Sequence, residues 1–172
     1  MADVYAAFIR GQGGFFTSPG IDLLAADARR QGVVADVFNY SDWQAVENVI
    51  RQNSAMGDKV AVVGYSLGDS TGTYLGTRDK IDLLVCIFES TFGQNYPVNH
   101  ANVARSVLVH GTGFLSSAGL ADKFDRLVEV DEPLSDIPLI GSLAGHLAGQ
   151  FAPAVVETVL GELATLQKEA ST

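Results

Sequence analysis

Several short β-branched stretches of the chain are apolar nearly throughout, and the longer stretches between the short ones repeat apolar residues every three or four positions. The first kind reads as strands buried on both faces, the second as helices that show one face to a core. The strands predicted this way are VYAAFIR (4–10), VVADVFN (33–39), KVAVVGY (59–65), IDLLVCIF (81–88), ARSVLVHG (104–111) and DRLVEV (125–130). IDLLAADARRQG carries apolar residues at 21, 24, 25 and 28 and stops at Gly32, while SDWQAVENVIRQNSAMG opens on Ser41 as a cap and closes on Gly57. A third helix is expected to start just after Ser66 and run to about Arg78. A fourth, PAVVETVLGELATLQKEA, shows an apolar stripe at 155, 156, 159, 160, 163 and 166. Residues 91–103 and 131–150, rich in Gly, Pro, Asn and Ser, read as long irregular segments, and loops of that length in a compact domain tend to carry function. Strands alternating with helices predict an α/β fold, and 172 residues suffice for one domain spanning 1–172.

Composition narrows the partners. With 47% hydrophobic and 18% charged residues the chain is built to fold, and its net charge of −9 (pI ≈ 4.6) opposes phosphate backbones and anionic lipid. Arg29 and Arg30 are its one basic pair, so nucleic acid is not an expected partner. The single cysteine, Cys86, lies in an apolar run, which excludes an internal disulfide, leaves a zinc site without thiolates and predicts an inert buried thiol. MADVYAAFIRG lacks the basic region of a signal peptide, and no uncharged run reaches the roughly 20 residues of a membrane span. A soluble cytoplasmic protein is expected.

The candidate chemistry sits in GYSLGD, residues 64–69, where Gly-x-Ser-x-Gly joins a predicted strand to a predicted helix. That setting turns a short motif into a nucleophile turn, with Ser66 raised above the sheet and the helix start behind it offering N–H groups to a developing negative charge. Leu67 would supply one such backbone donor. The loop Arg10-Gly11-Gln12-Gly13-Gly14 would supply the second, from Gln12 or Gly13. A dinucleotide fingerprint fails in the same loop, because Phe16 stands where the third glycine belongs.

A serine needs a base, and the chain has three histidines. His146 alone lies after the last predicted strand, as the order serine, acid, histidine requires. His110 reads as a satisfied strand-end histidine and His100 as a loop residue. Glu89 ends the strand beside the nucleophile's strand and is the candidate acid, with Asp122, Asp131 and Asp136 as competitors.

FIRGQGGFFTSPGIDLLA, NYSDWQ, GYSLG, FEST and GHLAG together resemble small α/β-hydrolase-fold proteins of about this length, lipase- or thioesterase-like, from bacteria and their phages. The resemblance implies a minimal, three-layer fold around a mostly parallel sheet of about six strands. It implies an ester or thioester substrate, a Ser66–His146–Glu89 triad and no metal or organic cofactor. FEST looks like the Asp-Pro-Thr segment of that family and GHLAG is similar to its Gly-His-Leu. In most α/β-hydrolases the acid follows the strand that here ends VLVHGTG, yet Gly113, Phe114 and Leu115 come next and offer none. Asp69 also departs from the usual small residue, and a charge there, roughly 8 Å from the oxyanion, would oppose it by about 2 kcal/mol at an effective dielectric near 20. A carboxylate turned away would instead favour the helix start. These departures favour the other reading, an inactive binding or structural module on the same fold. Phe15, Phe16, Phe92, Tyr96 and Phe114 are the candidates for a shallow acyl pocket.

Overall fold

The computed structural model describes residues 3–90, 96–111, 123–131 and 140–172, with backbone alone for 140–143. Its strands are β1 (Val4–Arg10), β2 (Val34–Asn39), β3 (Lys59–Tyr65), β4 (Leu83–Ile87), β5 (Ser106–Gly111) and β6 (Arg126–Val130). They form one six-stranded sheet in the order β2-β1-β3-β4-β5-β6, and every pairing is parallel. The apolar runs of β1, β3, β4 and β5 follow from that order, since strands covered on both faces have no polar side to show.

The helices are α1 (Pro19–Arg30), α2 (Trp43–Met56), α3 (Leu67–Gly76), α4 (Ile140–Gly149) and α5 (Pro153–Ala170). On one face of the sheet, Ile21, Leu24, Ala25 and Ala28 of α1 and Val155, Val159, Leu163 and Leu166 of α5 join Ala6, Phe8, Val63, Val85 and Val109 in one core. Val46 and Ile50 of α2 and Leu75 of α3 pack with Ile9, Val62, Cys86 and Leu108 on the other. Three layers result. Among the described residues no helix is long and apolar enough to cross a membrane.

Two expectations change, and one short turn is added. Ser41 does not cap α2: its hydroxyl donates to Asp42 Oδ1 (3.2 Å), and Asp42 takes the N-cap position while its carboxylate turns back to the Asn39 N–H (3.1 Å). A single 3-10 turn, Gly14–Phe16, interrupts the loop after β1. Within 131–150, residues 140–149 form α4 rather than a loop. Glycines at 141, 145 and 149 argue against a helix by propensity. At Gly149 the reason is packing, since a Cβ there would run into the Phe88 ring.

Candidate active site

Two strands leave β1 on opposite sides, β2 one way and β3 the other, so a crevice opens between the carboxyl ends of β1 and β3. Ser66 stands there, between β3 and α3, with φ 54° and ψ −120°. An L-residue avoids that left-handed φ at a cost of about 1–3 kcal/mol, and strain of this kind collects at functional turns. Its neighbours enforce it. A Cβ on Gly64 would lie 2.6 Å from the Gly68 carbonyl oxygen, and one on Gly68 would collide with the carbonyl of Ile9. The Ser66 N–H donates to the Ile87 carbonyl (2.9 Å), and the Ser66 carbonyl accepts from Asp69 N–H (3.0 Å). The serine is thus held from β4 and from α3 at once. Among the described residues its hydroxyl makes no hydrogen bond.

The loop after β1 lies against the serine, for a Cβ on Gly11 would come 3.0 Å from that of Ser66. Gly11 N–H donates to the buried Ser18 hydroxyl (3.0 Å), and the Thr17 hydroxyl donates to the Gln12 carbonyl. Those bonds do not engage the Gln12 N–H. Neither it nor the Leu67 N–H donates to any described residue.

Glu89 follows a second left-handed residue, Phe88 (φ 53°), whose N–H donates to the Val109 carbonyl (2.8 Å). The turn sends Glu89 into the interior, 2% exposed, where Oε1 lies 3.0 Å from Nδ1 of His110 on β5. His146, on α4, is 5% exposed, its ring 5.3 Å from Tyr65 and 5.8 Å from Phe88 between centroids. Tyr65, the residue before the serine, donates its hydroxyl to the His146 carbonyl (2.9 Å). The contacts described here therefore bring Glu89 to His110, and His146 to the Tyr65 side of the serine turn.

Asp69 is buried on the α3 face, with Oδ1 accepting the Ile87 N–H (3.1 Å) and Oδ2 without a hydrogen-bond partner among the described residues. Burial, reinforced by the nearby Glu89 and opposed by that hydrogen bond, pushes its pKa well above the usual carboxylate range. Burial, then Asp69 and Glu89, pushes the Cys86 thiol up as well, which leaves it protonated and inert.

Phe15 and Phe16 stand 57% and 93% exposed, edge to face. Tyr96 packs on Tyr74, about two turns along α3 from Ser66, and Tyr74 packs in turn on Trp43 of the NYSDWQ segment. Phe92, Phe114, Asp122 and Asp136 lie outside the described residues. Asp131 is exposed, and His100, half exposed, bonds through Nε2 to the Lys123 carbonyl (3.0 Å). No group of three His, Cys, Asp or Glu side chains among the described residues could hold a metal ion. Sequence reasoning missed Gln150, 1% exposed, which bonds to the loop after β1. Nothing in its sequence neighbourhood marks it, because Gly20 and Thr17, which it bonds at the other end of the chain, lie 130 and 133 residues away.

No family model matches the chain, and no curated protein matches it. Solved structures do. A protein of the α/β hydrolase superfamily from Xanthomonas campestris pv. campestris superposes with a TM-score of 0.64 at 18% identity, covering 96% of this chain and 98% of its own. The ydeN gene product of Bacillus subtilis gives 0.65 at 15% identity, covering 96% and 100%. With the six parallel strands and the flanking helices, these matches give the chain the three-layer architecture of the α/β-hydrolase fold.

Proposed function

We propose that this chain, an α/β-hydrolase fold, is a serine hydrolase that cleaves a carboxylic ester or thioester through an acyl-enzyme on Ser66. The observation that carries the proposal is the left-handed Ser66 at the crevice between β1 and β3, on a turn that two glycines make possible. Ser66 Oγ attacks the acyl carbon as His146 takes its proton. The N–H groups of Leu67 and Gln12, unused by described residues, hold the oxyanion. Collapse expels the alcohol or thiol, which leaves with the proton from His146, and water then releases the acid by the same route. Glu89 supplies the orienting carboxylate.

A second assignment of the base has its own support. Glu89 meets Nδ1 of His110, which would leave Nε2 as the proton acceptor, the tautomer a triad uses. Alanine at each histidine separates the two. His146→Ala is expected to lower kcat by about 10³-fold or more and His110→Ala by about tenfold. The reverse order would make His110 the base.

Pre-steady-state hydrolysis of p-nitrophenyl acetate tests the reaction itself. Wild type is expected to release a burst of one p-nitrophenol per chain and Ser66→Ala none. A folded wild type without a burst would favour the inactive binding module.

A further inference from the structure

Deepening the serine hydrolase reading and resting on it, we propose that Gln150 is a positioning residue that fixes the spacing between the base on α4 and the oxyanion donor on the loop after β1. Its Oε1 accepts the N–H of Gly20 (2.8 Å), while Nε2 donates to the carbonyls of Thr17 (3.0 Å) and Leu147 (2.6 Å). That pattern settles the amide's orientation, because a flipped amide would set N–H against N–H and oxygen against two carbonyls.

The two partner groups on α1 and α4 are ones their own helices cannot satisfy. Gly20 is in the first turn of α1, whose N-cap Ser18 makes no side-chain cap because its hydroxyl serves Gly11. Leu147 is in the last turn of α4, where carbonyls lose their helical donors. One buried side chain thus caps the end of one helix and the start of another, and takes up the Thr17 carbonyl between them.

The functional consequence follows from what each end carries. His146 precedes Gln150 by about one turn, and the next residue back along the loop from Ser18, Thr17, holds Gln12 through its hydroxyl. Gln150 therefore ties base and donor into one frame, across a chain separation that no local turn could bridge. Misplacing a catalytic group by about 1 Å costs up to about 10²-fold in rate.

Gln150→Met keeps the length and removes all three hydrogen bonds. It is expected to lower kcat for p-nitrophenyl acetate by about tenfold or more, with KM within about twofold. Rates are normalised to the serines that a fluorophosphonate labels at its end point, so loss of folded protein does not count. Gly20→Ala reaches the same frame from α1, since its Cβ would lie 2.6 Å from Gln150 Cγ, and it is expected to reproduce the loss with Gln150 intact. If both variants turn over at the wild-type kcat per labelled serine, whatever their melting temperatures, Gln150 is packing only and the inference is wrong. A wild type with neither burst nor label would overturn the underlying reading before any Gln150 variant is made.

Discussion

Asp69 carries a carboxyl group between α3 and β4, where 1% of it reaches solvent. There it accepts the Ile87 N–H, one residue short of the turn that aims Glu89. A charge near Ser66 would oppose the oxyanion. Burial, with Glu89 near, instead keeps Asp69 protonated well above the usual range, so the repulsion expected from sequence does not arise while the group stays neutral. The same shift has a stability consequence. A carboxyl whose folded pKa is raised contributes fully below its unfolded pKa, about 3.9, and loses that contribution as pH rises through the folded value. Asp69→Asn keeps the acceptor for Ile87 and cannot ionise. It is expected to match wild type near pH 4 and to be the more stable protein at pH 8, as urea melts across that range would show. Wild type gaining on the variant as pH rises would contradict the assignment. The turn at Ser66 was legible from its flanking glycines and the strand before it, because a turn is local. The Glu89–His110 contact was not, because the register that sets β4 beside β5 is a tertiary fact.

At the scale of elements, the serine turn depends on how closely α3 approaches β1 and β3. Gly68 faces the Ile9 carbonyl, which is backbone and cannot move aside, whereas a Cβ on Gly72 would meet the Leu84 Cδ1 at 3.1 Å, the far end of a side chain. Gly68→Ala is expected to destabilise by about 1–3 kcal/mol and to slow acylation. Gly72→Ala is expected to stay within about 1 kcal/mol of wild type, since alanine's helix propensity offsets the tight contact. Chemical denaturation of the two variants compares them directly, and equal losses would show that the approach at Gly68 is not special. All six strands lie within two residues of their predicted bounds, because apolar runs between turn signals are strong local cues. In the sequence α4 reads as loop because three glycines hide a helix that tertiary contacts favour: Phe88 fills the space above Gly149, and Tyr65 holds the carbonyl of His146.

Over the whole molecule, α1 and α5 close one face of a parallel sheet and α2 and α3 the other, and the nucleophile turn and the loop after β1 meet at the carboxyl ends of two inner strands. The alternating pattern along the sequence pointed to these layers. The strand order did not follow from it, since a parallel sheet can be wound in several orders from the same alternation. Nor did the bond that runs from Gln150 to the start of α1. Ester or thioester hydrolysis by this chain requires that Ser66 be a nucleophile. Intact-mass analysis after exposure to a fluorophosphonate measures that directly. One adduct per chain, mapped to Ser66 and absent from Ser66→Ala, is the predicted result, and a folded wild type that takes up no adduct, or takes it up at another residue, would contradict it.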